Sequence, residues 1–191
     1  MKDAKEYCPA DKKDWRKWLK LNHKKKDGVW LVLYRIKSPD YNLNWSESVD
    51  EALCFGWIDS TKITIDSTKY KQYFSKRKEK SNWSKINKEK VKTLIEQGLM
   101  QEAGYKSIQI ARENGSWANL DEVEELVIPE DLKTEFANYK GSMEYFDSLS
   151  KSIKKILLYW IVSAKRDETR QKRLLEIVEN ASKNLIPTQF R

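Results

Sequence analysis

A single histidine and two cysteines are the whole stock of imidazole and thiol metal ligands in this 191-residue chain. His23 sits in a lysine-rich stretch with no neighbouring ligand set, so a surface or capping role is expected of it and no metal site is expected. Cys8 and Cys54 form neither a CxxC pair nor the framework of a stapled secreted domain, and Cys54 lies in an apolar run where it reads as a small core residue. The chain also lacks a P-loop, a GxGxxG fingerprint and an HExxH helix motif, so the usual phosphate-cradling and zinc-protease machinery is missing and no cofactor is expected. No apolar run is long enough to cross a bilayer, and the basic start is not followed by the apolar segment of a secretory signal, which makes a cytoplasmic location the expectation.

What the chain has in quantity is charge. Charged residues make up 35% of it, yet aromatic and aliphatic residues recur throughout, which opposes global disorder. The formal net charge of +8 is unevenly spread. Residues 71–92 carry nine Lys/Arg against two acids, residues 96–147 carry four against twelve, and residues 151–191 carry ten against four. Two basic blocks separated by an acidic stretch would attract an anionic metabolite, a nucleic acid or an acidic protein. The oligomeric state is left open by the sequence.

Taken in order, Asp11 precedes a helix that places Trp15, Trp18 and Leu19 at compatible spacings. Gly28 opens GVWLVLYRI, apolar on both alternating faces and therefore an interior strand. Ser46 and Glu47 suggest the start of a short helix bearing Val49, Ala52, Leu53 and Phe55, and Gly56 permits a sharp exit into a strand at 57–59. A second strand is expected over 61–66, with Tyr70, Tyr73 and Phe74 continuing the sheet or covering its margin. Ser84 or Asn87 can cap a helix with Val91, Leu94 and Ile95 toward the core, and another follows around Ile108 and Ala111. After Pro129 the pattern is helical. Ser150 opens a long helix whose Ile153, Ile156, Leu157, Trp160 and Ile161 form an apolar stripe. The expected class is α+β: a small mixed sheet with packed helices over residues 1–125, and a helical region over 126–191 packed with it as one globular unit.

Candidate site residues come from the two basic blocks and the strand before the first. Asp59 follows a compact apolar segment, where a carboxylate must be hydrated, hydrogen-bonded or paired. Arg77 can fork onto a carboxylate or phosphate, Trp83 can stack on a ring or anchor the next helix, and Ser81 and Asn87 can orient polar groups. Arg166, Arg170 and Arg173 recur at i, i+4 and i+7, so an unbroken helix would align them on one face, with Lys165 and Thr169 at its rim. Each has a plainer alternative: a solvated lysine connector, a helix anchor, or salt bridges to the acidic middle of the chain.

Together, EALCFGWIDS at 51–60, YKQYFSKRKEKSNWSKIN at 70–87, GLM at 98–100 with the following Gly104, GSW at 115–117 and AKRDETRQKR at 164–173 resemble the YdeI/OmpD-associated family of bacteriocin-protection proteins. The Trp15/Trp18 entrance and the GVWLV strand extend the resemblance over most of the chain. It implies a compact α+β amino-terminal unit joined to a helical region, and an association with bacterial protection against antimicrobial peptides or bacteriocins. The family supplies no catalytic assignment. It directs attention to Asp59, Arg77, Ser81, Trp83, Asn87, Arg166, Thr169 and Arg170, and members often carry proline where this chain has Ser75 before Lys76-Arg77. The leading expectation is a non-catalytic cytoplasmic stress or protection protein that binds an anion or an acidic partner through 75–87 and 165–173. The alternatives are an enzyme acting on a phosphorylated or carboxylated small molecule, with Asp59 orienting water or a proton between Arg77 and Arg170, and a salt-dependent nucleic-acid-binding protein.

Overall fold

The structure, a computed structural model, describes residues 4–191 and divides after Trp117 into two compact units. The class is α+β, with a four-stranded sheet in the first unit and helices throughout the second.

In the first unit, Asp11 accepts a hydrogen bond from the Asp14 N–H and so caps α1 (Lys12–Asn22), whose Trp15 and Leu19, one turn apart, are buried. Gly28 begins β2 (Gly28–Tyr34), with five consecutive buried residues from Val29 to Leu33, as an interior strand requires. A two-residue strand that the polar start of the chain did not suggest, β1 (Glu6–Tyr7), pairs parallel with β2. The expected pair of strands at 57–59 and 61–66 is one strand, β3 (Trp57–Thr64), with a register shift between Asp59 and Lys62. Such a bulge inserts residues without ending the ladder, which explains why the apolar pattern looked interrupted.

Strand β4 (Lys69–Lys76) lies at the centre of the sheet, in the order β1-β2-β4-β3. Its alternation places Tyr70, Gln72 and Phe74 inward and Lys71, Tyr73 and Ser75 on the other face. Asp66 closes the β3–β4 hairpin by accepting from the Thr68 N–H, the Thr68 hydroxyl and the Lys69 N–H.

Helix α2 (Trp45–Cys54) is capped by Asn44, not Ser46; Asn44 Oδ1 accepts the Glu47 N–H, while Ser46 and Asp50 receive the Lys90 ammonium of α3 (Lys85–Glu96). Ser84 caps α3, and Val91 and Leu94 face inward, whereas Ile95 is 38% exposed and lies off that face. Two glycines seat α4 (Glu102–Glu113) against the end of α2. A Cβ at Gly104 would lie 2.5 Å from the Cys54 carbonyl oxygen, and one at Gly56, whose φ is +71°, would lie 2.7 Å from that of Ala103. The core between sheet and helices is built from Trp15, Leu31, Leu53, Trp57, Phe74 and Trp83. At its margin Glu51, 3% exposed, accepts from Arg16 at 2.6 Å and lies 3.7 Å from the Lys12 ammonium.

The second unit packs α5 (Asp121–Glu124), α6 (Glu130–Asn138), α7 (Ser142–Ser148), α8 (Lys151–Val162) and α9 (Asp167–Ala181) around Leu132, Phe136, Phe146, Leu157, Ile161, Leu174 and Val178. Ser150 caps α8 as expected, accepting the Ile153 N–H. The expected continuous helix through the arginines breaks after Val162. Arg166 is the N-cap residue of α9 and only Arg170 and Arg173 lie within it.

Candidate anion site beside Arg77

Strand β4 ends at Lys76, and the next residue remains tied to the sheet's margin because the Arg77 N–H donates to the Gly56 carbonyl at 2.9 Å. That bond turns the Arg77 side chain inward over the indole of Trp83, with the guanidinium carbon 3.8 Å from the ring centroid. One terminal nitrogen, Nη2, donates to the Asn82 carbonyl. The other two, Nε and Nη1, are shut off from solvent and have no hydrogen-bond partner among the described residues. Asp59 favours the charged form of Arg77, but the two form no ion pair. Burial is the larger influence and pushes the guanidinium down to about 10, still charged at neutral pH.

Arg77 lines a cavity of about 400 Å³. Phe55, Trp57, Ala103 and Ile110 supply its apolar wall, and Lys24, Lys76 and Lys106 join Arg77 against one acid, Glu79. Lys76 donates to the Lys24 carbonyl and pairs with Asp27 at 3.0 Å, whereas Lys24 and Lys106 make no ion pair among the described residues. The loop beyond Arg77 is pinned: the Glu79 carbonyl accepts from the Asn114 side-chain amide at 2.9 Å and from the Ser116 hydroxyl at 3.1 Å. A charge surplus over an apolar wall, with a desolvated and incompletely bonded guanidinium at its margin, is suited chemically to holding an anion.

The other predicted residues fall around this centre or away from it. Trp83 is 2% exposed, with one neighbour in Arg77 and another in Trp117, whose ring centroid is 4.9 Å away; it anchors the start of α3. Asp59 does not line the cavity. Its Oδ2 accepts from Trp45 Nε1 at 2.9 Å and from Gln72 Nε2 at 3.1 Å. Ser81 is half-buried in the turn after Arg77, and Asn87 gives its backbone N–H to the Ser84 cap. Lys165, Arg166, Thr169, Arg170 and Arg173 belong to the second unit. There Arg170 forks onto Asp131 at 2.6 and 3.0 Å, and this bond is the main reason the Asp131 carboxyl titrates below the usual range. Arg173 donates to the Trp160 carbonyl and the Ser163 hydroxyl, which closes the carboxyl end of α8. Lys165 and Arg166 are exposed, and Thr169 is half-buried on α9.

Several cavity residues escaped sequence reasoning. His23 caps α1, its Nδ1 2.9 Å from the Leu19 carbonyl oxygen, and lines the cavity with Lys24; Lys106, Ser107 and Ile110 arrive from α4. The signal that could have found them was Gly56: a glycine required by a left-handed turn and close backbone contact marks where β3 and α4 meet.

Residues 7–107, more than half of the chain, match the family model described as a domain of unknown function, DUF8412. The chain belongs to the DUF8412 family. Every residue of the Arg77 cavity except Ser107's later neighbour Ile110 falls inside the DUF8412 match. A second model, described as bacteriocin-protection, YdeI or OmpD-associated, matches residues 125–184. The resemblance read over most of the chain therefore holds for that segment, including AKRDETRQKR, and is corrected for Trp15/Trp18, the GVWLV strand and the stretches at 51–60, 70–87 and 98–104, which fall in the DUF8412 region, while the GSW turn at 115–117 lies in neither match. No curated protein and no solved structure matches the chain. Among the described residues there is no cluster of metal-ligating side chains, and no helix is long and apolar enough to cross a membrane.

Proposed function

We propose that this protein is an anion-binding module whose recognition site is the Arg77 cavity of its DUF8412 unit. The observation that carries the reading is the guanidinium itself: desolvated, charged, and lacking partners for Nε and Nη1 beside a cavity whose other cations are Lys24, Lys76 and Lys106. A buried unpaired charge is costly to fold, and a bound anion offsets that cost. Its field acts across the cavity wall, so binding does not require the anion to touch Nε or Nη1. Asp59 serves this site as a support that holds Trp45 and Gln72 and biases Arg77 toward its charged form.

The helical unit favours a place for this binding in a bacterial protection response, in line with the description of the family its segment 125–184 matches, and we place the protein in the cytoplasm. Of the cations at 165–173, Lys165, Arg166 and Lys172 are exposed, while Arg170 and Arg173 hold the unit together. The reading is tested by screening anionic metabolites and short nucleic acids against the purified chain at low and moderate salt. A selective small-anion hit weakened at least tenfold in Arg77→Met supports it. Binding only to nucleic acid, with steep salt dependence and no response to Arg77→Met, would move the function to the exposed lysines.

A further inference from the structure

The apolar part of the cavity lining gives the ligand a second property. We propose that the Arg77 cavity takes an amphipathic anion: a single phosphate or carboxylate head on a compact apolar or aromatic body. This rests on the anion-binding reading and narrows it.

The cavity lining is mixed by construction, with Lys106 on the same helix as Ala103 and Ile110. Phe55 and Trp57 flank the left-handed Gly56 and form the base of the wall, while Ala103, Ser107 and Ile110, on successive turns of α4, continue it outward. A simple inorganic anion would use only the cations of the lining and would leave Phe55, Ala103 and Ile110 without an apolar partner. At about 400 Å³ the space accommodates a ligand of metabolite size and lies in the range of small-molecule sites, well above what a phosphate ion fills. A polynucleotide is disfavoured by the same lining, because Lys24, Lys106 and Arg77, with Lys76 already paired to Asp27, match one anionic head and not a repeating backbone. Gly56 and Gly104 fix the wall's position: side chains there would collide with the carbonyls of Ala103 and Cys54, so the α2–β3 turn and α4 cannot be spread apart without losing the contact.

The experiment is calorimetric titration of the full chain with inorganic phosphate, phenyl phosphate, benzoate and phenol. Burying one face of a phenyl ring is expected to make phenyl phosphate bind about tenfold or more tightly than inorganic phosphate. Ile110→Ala should erase most of that advantage, weakening phenyl phosphate by a much larger factor than inorganic phosphate, and Ser107→Val on the same wall should enlarge it. Lys106→Gln should weaken both phosphates by a similar factor. Benzoate binding as tightly as phenyl phosphate assigns the head to a carboxylate, and benzoate binding much more weakly assigns it to a phosphate; either supports the amphipathic class. Equal affinity for inorganic and phenyl phosphate overturns the class and leaves the anion-binding reading standing. Phenol binding as well as phenyl phosphate, or no binding by any of the four, overturns both.

Discussion

Arg77 and Arg170 place the same side chain in opposite circumstances, one in each unit. Arg170 meets Asp131 with two parallel hydrogen bonds, and the carboxylate responds by titrating below its ordinary range. Arg77 meets an indole face and a single carbonyl, keeps two N–H groups without partners, and is itself pushed down to about 10 by burial. The first arrangement satisfies the fork geometry of a guanidinium and spends its binding capacity inside the protein. The second leaves capacity over, beside a cavity. The units differ as wholes in the same way: the first carries 25 Lys/Arg against 16 Asp/Glu and the second 12 against 13. A cavity of about 390 Å³ in the second unit is lined by Leu120, Val123, Ile156, Tyr159, Trp160 and Phe190, and its one lysine, Lys155, is paired with Glu124 at 2.6 Å. Cationic sequence therefore has two meanings here, and the partner of each guanidinium separates them.

The contrast can be strained hardest at Arg16, the most deeply committed of the paired arginines. Arg16→Met leaves the buried Glu51 carboxylate with only the longer Lys12 contact at 3.7 Å and is expected to cost about 3 kcal/mol, read as a fall in the urea midpoint of the first unit. Next in size is a ligand effect: an anion present at a hundred times its dissociation constant should stabilise the wild-type first unit by about 2.7 kcal/mol, and Arg77→Met should cut the gain to about 1.4 kcal/mol or less. Arg170→Met is expected to destabilise the second unit by about 1 kcal/mol at neutral pH, since the pair is partly exposed to solvent. The sign with pH follows from Asp131, whose native value is depressed. Its contribution is present above the unfolded value near 3.8 and disappears as pH falls through the native one, so wild type and Arg170→Met should converge in acid. The smallest effect belongs to Arg77→Met without ligand. Removing an unpaired buried charge should leave stability within about 1 kcal/mol of wild type, or raise it, because Met retains the contact with Trp83.

Local structure was legible wherever a short-range rule decided it. Asp11, Ser84 and Ser150 cap helices, Gly28 opens the interior strand, and Trp83 acts as the anchor that its position before α3 suggested. The class of fold followed from these. Asn44 in place of Ser46 is a shift of two residues between equally good capping chemistries, settled by where α2 must begin to bury Val49 and Leu53. Strand β4 was harder to read because its lysines and tyrosines mimic an edge, and only pairing on both sides makes it central. The site was half legible. Arg77 stands out as a fork among lysines, but its lack of a partner is a property of the assembled unit, as is the arrival of Lys106 and Ile110 from α4 and His23 from α1. The arginines of 165–173 show the converse: helical spacing identified Arg170 and Arg173 as neighbours and could not reveal that Asp131, Trp160 and Ser163 already bind them.

The most direct measurement is nuclear magnetic resonance of the arginine Nε–H groups while phenyl phosphate is titrated into the full chain at low salt. Arg77 should show a saturable shift, with Arg170 and Arg173 unmoved as internal controls for general ionic effects. Shifts of equal size at all three arginines, or none at Arg77 while phenyl phosphate binds, would contradict the claim that Arg77 marks the anion site.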